Sequence, residues 1–209
     1  LDLTKKFSAP LALAVIPART EPSLADRLNA AQHVTVVQHG WAHANHAPIG
    51  AAKAELGAHR PIGFMLGELA RGWTVVRRLF GDRALPVLVP PHNRITDRLA
   101  GVLTQAGYIG LSTAGPRSRA WPGLIQVNTH ADIMNWSTRA FAGETLSLDL
   151  ILAHLRARRA HAVDPEEPTG ILTHHLAHDS GAWTFAEAVM SLIRSHPGAR
   201  LADPRTLFA

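Results

Sequence analysis

The sequence of 209 residues predicts a single α/β domain, a distorted (β/α) barrel with about six to seven parallel strands spanning residues 1–209. Three observations support this prediction. Strand-like and helix-like segments alternate along the chain, which is typical of parallel α/β folds. Polar residues follow four strand ends, and a barrel of parallel strands gathers such ends on one face. No internal repeat or low-complexity tract divides the chain.

The predicted strands are short apolar runs that stop at proline, glycine or polar residues. They cover residues 10–16, 34–38, 87–89, 108–112, 123–129 and 170–173. Helices are predicted between them, with Ser23 and Thr96 or Asp97 as N-caps and Pro61 at a helix start. These helices cover residues 1–7, 23–31, 61–80, 97–107, 144–161 and 183–195. Because the chain begins on a helix, the alternation indicates that one strand before Leu1 is absent.

Composition narrows the function classes. The net charge is +5, but the basic residues are spread out, and the two dense spots, at residues 77–78 and 156–159, fall on predicted helices. A nucleic-acid site would need a basic stripe with interleaved aromatics, so none is expected. The chain has no cysteine, which excludes disulfides and thiolate metal ligands. No apolar run reaches transmembrane length and no signal peptide is visible, which favours a cytoplasmic location and leaves export open.

The segment HGWAHANH, residues 39–46, carries three histidines directly after a buried strand. Gly40 frees the backbone where the strand ends. His39 and His43 are four residues apart, so we expect them to share one helical turn and face the same way. Two neutral imidazoles on one face suit a divalent transition metal, zinc first. The pair therefore predicts a metal site. His46 is expected to have a supporting or structural role beside this site, and the alternative is that it is an additional ligand.

Three more strand ends carry polar motifs, which read PPHNR at residues 90–94, DIMNW at 132–136 and LTHH at 172–175. In this order and strand context, the four motifs resemble the polysaccharide deacetylase family over roughly residues 10–179. This family of metal-dependent enzymes includes chitin and peptidoglycan deacetylases. The sequence departs from the family pattern at three positions: Gly40 replaces a Ser or Thr, Val89 an Arg, and Asn135 an Asp. The family's first motif, Thr-Phe-Asp-Asp, is absent from the chain.

The resemblance implies hydrolysis of an N-acetyl group on an amino sugar or a related amide, with a divalent metal, zinc first, as cofactor. It implies His39 and His43 as metal ligands and His174 as the general acid. It also implies the backbone N–H of His92 as an oxyanion donor and Trp136 as a wall of the acetyl pocket, although Trp136 is equally readable as core. A carbohydrate or acetylated small molecule is the expected partner.

The remaining candidates surround these residues. The resemblance places the third metal ligand and the general base on the missing first strand, so the chain as given is expected to be inactive. Asn135 can orient His174 but adds no charge, which Asp132 could supply. Pro91, Asn93 and Arg94 are expected on the substrate side of their loop, where Asn93 and Arg94 could instead only shape it. Arg94 could also replace the missing Arg from a shifted position.

Two alternatives stay open at this stage. His174 and His178 are four residues apart and could form a rival metal pair, or His174 could be a core histidine with its hydrogen bonds satisfied. The second function hypothesis is a catalytically silent carbohydrate- or metal-binding domain on the same fold. The Val89 and Asn135 departures favour this second hypothesis, whereas the two histidine motifs favour the enzyme.

Overall fold

The computed structural model describes residues 1–209, which divide into two compact units. The first, here called the sheet unit, comprises Pro10–Thr113, Arg119–Gln126 and Asp203–Ala209. The second, here called the helical unit, comprises Leu1–Ala9, Ala114–Ser118 and Val127–Ala202. Each unit is described by itself.

Nine short strands and seven α-helices make up the regular structure. The strands are β1 (Leu11–Val15), β2 (Val34–Gln38), β3 (Ala84–Leu88), β4 (Gly110–Leu111), β5 (Ile125–Gln126), β6 (Ala131–Asp132), β7 (Met134–Asn135), β8 (Ala140–Phe141) and β9 (Ile171–Leu172). The helices are α1 (Asp2–Phe7), α2 (Pro22–Leu28), α3 (Ile62–Phe80), α4 (Asp97–Ala100), α5 (Glu144–Arg159), α6 (Ser180–Ser195) and α7 (Pro204–Leu207).

The sheet unit is built on a five-stranded parallel sheet in the order β1-β2-β3-β4-β5. Strand β2 is buried at every residue, as expected for an interior parallel strand covered on both faces. Helix α3 repeats apolar residues at helical spacing, so Met65, Leu69 and Val76 lie on one fully buried face. This face packs into the core, and the helix ends where Gly81 takes a positive φ of 53°.

The helical unit contains α1, α5 and α6 together with two small strand pairs. Strand β6 pairs in parallel with β9, and β7 pairs antiparallel with β8. Its apolar core includes Ile133, Ala182 and Phe185. Helix α6 is N-capped by Asp179, whose Oδ1 accepts a hydrogen bond of 2.9 Å from the backbone N–H of Ala182. The same carboxylate accepts from the N–H of Phe141, which ties the β7–β8 hairpin to the start of this helix.

The predicted α/β class with a parallel sheet is confirmed. The first five predicted strands pair in parallel in one sheet, and the predicted strand at 170–173 pairs in parallel with β6. The sheet has five strands, so closure into a barrel stays a prediction. The single helix predicted over 97–107 is wrong, because it breaks after Ala100 into α4 and a 3₁₀ turn over Leu103–Ala106. None of the helices combines the length and apolar character needed to cross a membrane.

Candidate functional site

The HGWAHANH segment is an irregular loop after β2, so the helical turn expected for His39 and His43 is wrong. Gly40 has a φ of 62° and His43 a φ of 56°, and these left-handed residues prevent a right-handed helical turn. The two imidazoles nevertheless contact each other, with ring centroids 4.9 Å apart and planes inclined by 56°. The loop thus achieves the proximity that the four-residue spacing suggested, by a different backbone path.

A buried carboxylate, which the sequence did not reveal, holds this loop in place. Glu55 is 0% exposed, and its Oε1 accepts a 2.7 Å hydrogen bond from the N–H of Ala42. Its Oε2 accepts a 3.2 Å hydrogen bond from the N–H of Trp41. A Cβ at Gly40 would lie 2.1 Å from Glu55 Oε2 and 2.4 Å from Pro91 Cγ. The loop therefore requires glycine where the deacetylase motif has Ser or Thr.

His92 brings a third imidazole to the same place. It follows β3 in the PPHNR loop, and its backbone is left-handed, with φ 58° and ψ 17°. Its ring contacts that of His43, with centroids 4.6 Å apart and planes at 64°. Burial, and then the positive charges of His43, Lys53 and Arg94, lower the pKa of His92 below 6.5. We call His39, His43 and His92 the imidazole group.

The hydrogen bond made by His39 determines which nitrogen can bind a metal. His39 Nδ1 lies 2.8 Å from the carbonyl oxygen of Val89. A carbonyl can only accept, so Nδ1 carries the hydrogen and the lone pair is on Nε2. Metal-ligating histidines commonly donate their other N–H to a backbone carbonyl or carboxylate in this way. By this test His39 fits a divalent metal. The carbonyl oxygen of Val89 orients the His39 ring, although the Val89 side chain cannot replace the Arg of the family motif.

The other predicted residues of the PPHNR loop have mixed environments. Pro91 is buried against Gly40, so it shapes the loop from inside. Asn93 is exposed, with a φ of 54°. Arg94 is exposed and donates from Nη1 to the carbonyl oxygens of Lys53, at 3.1 Å, and His92, at 3.4 Å. Arg94 therefore connects the PPHNR loop to the segment around Lys53.

In the helical unit, Asp132 connects two of the predicted residues. Its Oδ2 accepts a 2.8 Å hydrogen bond from the indole N–H of Trp136 and lies 3.3 Å from His174 Nε2. Burial would raise the pKa of Asp132, but the hydrogen bonds from His174 and Trp136 outweigh it and hold this pKa below 3.8. The Trp136 ring also meets the His174 ring in an edge contact, with centroids 4.5 Å apart.

Asn135, predicted at the catalytic centre, has its side chain in the β7–β8 turn. It is exposed, and its Oδ1 accepts hydrogen bonds from Ser137, at 3.0 Å from the N–H and 2.7 Å from Oγ. Asp132, the alternative that sequence reasoning named, is the carboxylate that contacts His174. A catalytic role for either residue stays a prediction.

The structure argues against the rival metal pair. His178 Nε2 accepts a 3.0 Å hydrogen bond from the backbone N–H of His174. Its lone pair at Nε2 is therefore occupied, and Nδ1 carries the hydrogen in the neutral ring. The His178 ring packs on Trp183, with centroids 4.6 Å apart. His178 thus positions the backbone of His174 and is unsuited to ligate a metal with it.

A second group of histidines, which sequence analysis missed, lies elsewhere in the helical unit. Ligand atoms of His130, His154 and Glu167 all lie within 4.8 Å of one another, so by distance the group could hold a metal. The two imidazoles are stacked, with centroids only 3.4 Å apart and planes at 15°. Burial lowers the pKa of both histidines below 6.5.

Hydrogen bonding gives this second group a different character. His130 Nδ1 accepts a 3.0 Å hydrogen bond from the N–H of Gly170, so in the neutral ring Nε2 carries the hydrogen. That N–H faces Glu167 Oε2 at 3.4 Å. The Glu167 carboxylate also accepts from the backbone N–H groups of Arg117, at 2.8 Å, and Asn128, at 3.0 Å. His130 therefore presents an N–H, and not a lone pair, to the other members of the group. In this arrangement the group is a buried polar network.

Comparison with known proteins places this fold. No protein-family model matches the sequence, and no curated protein matches it significantly. Several solved structures do resemble it. A structure from Mycobacterium smegmatis, provisionally described as a polysaccharide deacetylase, is similar with a TM-score of 0.66 and 16% identity, covering 99% of this chain and 73% of that chain. A structure from Pseudomonas aeruginosa PAO1 with the same provisional description gives a TM-score of 0.67 at 12% identity, covering 99% and 69%.

The PuuE allantoinase structure is similar as well, with a TM-score of 0.63 and 12% identity over 99% of this chain and 68% of that chain. At these identities the similarity shows a shared fold and does not carry an activity. The chain therefore has the α/β fold of structures described as polysaccharide deacetylases and of an allantoinase, which agrees with the fold that the sequence motifs implied.

Proposed function

We propose that this chain is a metal-dependent, deacetylase-like hydrolase that cleaves the amide of an N-acetylated amino sugar or a related amide. The observation that carries the proposal is the imidazole group, in which the His39 Nδ1 hydrogen is directed at a carbonyl oxygen, so that the ring has the tautomer that metal-ligating histidines commonly adopt. The fold shared with structures described as deacetylases and an allantoinase supports this proposal.

His39 and His43 would hold a divalent ion, zinc first. When bound, the ion supplies a Lewis acid for the acetyl carbonyl and a water of lowered pKa. The chain's own contribution is orientation. Val89 fixes the His39 ring through its carbonyl, and Glu55 holds the intervening backbone through the N–H groups of Trp41 and Ala42. The N–H of His92 is our candidate oxyanion donor.

His174 is the proposed general acid. Its Nε2 faces the ionised carboxylate of Asp132 at 3.3 Å, so Nε2 carries a proton directed at Asp132. An imidazolium held in this way can release its other proton, from Nδ1, to the leaving amine. Asp132 places a negative charge against this ring, which Asn135 cannot supply.

Substrate contacts are proposed for Trp136, Asn93 and Arg94. The Trp136 side chain is 53% exposed although its indole N–H is held by Asp132, so a rigid aromatic face is open to solvent. Such a face suits packing against a sugar ring or an acetyl methyl group. Asn93 and Arg94 are exposed polar groups beside His92, where hydroxyl groups of a carbohydrate could bind them.

Acetate release from N-acetylated chito-oligosaccharides, measured with zinc or cobalt present, tests the proposal. Release by this chain would overturn the expectation of inactivity that followed from the missing first motif, and Asp132 would then be the first candidate for the base. We expect His174→Ala to lower kcat by roughly 10²–10⁴-fold, the usual effect of removing a positioned proton donor. Bound metal should stay unchanged, because His174 is not a ligand. His161→Ala is the control, because His161 is an exposed histidine of the same unit. Loss of metal together with activity in His174→Ala would contradict the role proposed for His174.

A catalytically silent carbohydrate-binding domain is the second candidate. The specific observation in its favour is that Val89 and Asn135 stand where the deacetylase motifs carry Arg and Asp. The same oligosaccharides distinguish the two candidates. Binding in calorimetry without acetate release under any metal would support the silent domain and refute the hydrolase.

A further inference from the structure

We propose that the metal site includes a third imidazole, His92, and that the buried carboxylate of Glu55 is the counter-charge of the bound cation. This inference rests on the proposed function for the participation of His39 and His43. It assigns to the His92 side chain a role that sequence reasoning gave only to its backbone, and it assigns a role to a glutamate that no motif singled out.

Ring geometry supports three co-ligands. Two imidazoles bound to one ion through bonds of about 2.0–2.1 Å have centroids about 5 Å apart and inclined planes. In the imidazole group the two contacts measure 4.9 Å at 56° and 4.6 Å at 64°. The stacked rings of His130 and His154, at 3.4 Å and 15°, do not have this arrangement. The two ring contacts therefore match the centroid distance and tilt of imidazoles that share an ion.

The backbone conformation of His92 and its unpartnered ring nitrogen also support its assignment as a ligand. His43 and His92 both adopt positive φ, at 56° and 58°, a conformation that costs a non-glycine residue about 1–2 kcal/mol. Such residues concentrate at ligand-binding sites. His92 Nε2 is buried and has no hydrogen-bond partner in the protein. A buried nitrogen without a partner is destabilising, and ligation of a cation would satisfy it.

The imidazole nitrogens of His39, His43 and His92 must move closer together before all three can bind one ion. The nitrogens of the three rings do not all lie within 4.8 Å of one another, since the group of His130, His154 and Glu167 is the one that meets this spacing. Rotation of the imidazole rings about their side-chain bonds would bring these nitrogens closer together. Side-chain rotations of this kind occur without backbone rearrangement.

Glu55 supplies the electrostatic reason for a cation. Its carboxylate is fully buried and accepts hydrogen bonds from the backbone N–H groups of Trp41 and Ala42. The nearby guanidinium of Arg60 does not neutralise it, because Arg60 donates to the Glu55 carbonyl oxygen and to the Glu68 carboxylate. A buried charge without a cationic partner is costly. A cation at the imidazole group would provide that partner.

Charges around His92 are consistent with this assignment. The negative charge of Glu55 acts on His92, opposing the positive charges of Lys53 and Arg94. Lys53 and Arg94 are both exposed, so solvent and salt screen them, whereas Glu55 lies out of reach of water. At His92 the charge of Glu55 opposes those of His43, Lys53 and Arg94, and Glu55 is the one of these four groups that is fully buried.

The test measures zinc affinity by calorimetry and the visible spectrum of bound Co²⁺, without any substrate. His92→Gly is the informative variant, because glycine accepts the positive φ and leaves room for an added imidazole. We expect zinc affinity to fall by more than about 100-fold, beyond the range of residues that merely support a metal site. Added free imidazole should restore the Co²⁺ spectrum of this variant. His59→Gln, which changes an exposed histidine of the sheet unit outside the histidine loop, is the control.

Glu55→Gln tests the counter-charge. We expect its zinc affinity to fall by about 10–100-fold, as for other groups that act on a metal site without touching the ion. Thermal unfolding of the metal-free variant shows whether the loop still folds. Should the loop unfold, Glu55→Asp, which keeps the charge, must bind zinc more tightly than Glu55→Gln. Equal affinities in Glu55→Gln and the unmodified protein would overturn the role of Glu55.

The outcomes separate this inference from the proposed function. Unchanged zinc affinity in His92→Gly, with affinity lost in His39→Ala, would overturn the third ligand and leave the hydrolase proposal intact. Failure of the unmodified protein to bind zinc would overturn both. Metal binding as expected without acetate release would refute the hydrolase alone.

Discussion

Two histidine-containing regions of this protein show opposite uses of the same residue type. In the imidazole group of the sheet unit, His39 donates from Nδ1 to a carbonyl oxygen, which leaves a lone pair on Nε2. In the helical unit, His130 accepts at Nδ1 from a backbone N–H, which makes Nε2 a donor. The partner of the second nitrogen therefore decides whether an imidazole can ligate a metal.

The buried carboxylates of the two regions differ in the same manner. Glu55 and Glu167 are both fully buried, and each accepts hydrogen bonds from two backbone N–H groups. Glu167 also faces the Nε2 of His130 at 3.4 Å, which closes its network. No side chain plays that part for Glu55. Both carboxylates thus hold backbone segments in place, and Glu55 is the one to which we assign a bound cation as partner.

The largest expected effect is the loss of stability on removal of the Glu167 carboxylate from its hydrogen-bond network. Glu167→Leu removes the carboxylate that accepts from the backbone N–H groups of Arg117 and Asn128 and that faces His130 Nε2 at 3.4 Å, so we expect a loss of about 3–5 kcal/mol in unfolding free energy. Urea denaturation measures it, with the exposed neighbour Glu166→Leu as the control. Zinc affinity should not change. Loss of zinc binding with stability preserved would show that this network is the metal site.

The next effect tests the close packing under the imidazole group. An alanine Cβ at Gly40 would meet Glu55 Oε2 at 2.1 Å, at a φ of 62°, so we expect Gly40→Ala to cost about 2–4 kcal/mol and to weaken zinc binding. Gly50→Ala is the matched control, because Gly50 has a φ of 84° but no atom within 4 Å of its Cβ position. Equal losses in the two variants would mean that backbone strain alone matters.

A smaller effect is the pH dependence of stability. Burial lowers the pKa of His130 and His154 below 6.5 in the folded protein, so the unfolded chain binds protons first as the pH falls. Their contribution is complete above pH 6.5 and is lost below it, by about 1.4 kcal/mol for each unit of pKa difference. Urea midpoints measured from about pH 8 to pH 5 should fall less steeply in His154→Gln. Parallel profiles would contradict this prediction.

The smallest effect is expected at His46, on the edge of the histidine loop. His46 is exposed, and its backbone N–H donates a 3.0 Å hydrogen bond to the carbonyl oxygen of Ala54. His46→Gln should therefore change zinc affinity by no more than about twofold, in line with other surface substitutions. A loss comparable to that of His39→Ala would make His46 a ligand.

Sequence reasoning located the strands well and the contacts poorly. The apolar runs before His39, His92 and His174 were each predicted as strands, because a buried strand leaves a continuous local pattern. The two-residue strands β6, β7 and β8 were missed because residues 131–141 lack a longer apolar run, whereas the equally short β4, β5 and β9 lie within such runs. The helical turn expected for His39 and His43 failed because spacing alone does not report the left-handed backbone at Gly40 and His43.

What the sequence determined by itself is local: the parallel α/β class, the need for glycine flexibility at Gly40, and the presence of imidazoles at strand ends. The tertiary structure decided every pairing that gives these residues chemistry. Glu55 reaches the loop from 13 residues away, Val89 fixes His39 across 50 residues, and Asp132 meets His174 across 42. Hydrogen bonds between such distant segments depend on how the chain folds back. The proton positions that separate a metal ligand from a hydrogen-bond donor therefore follow from the fold, because the partner of each imidazole nitrogen sets them.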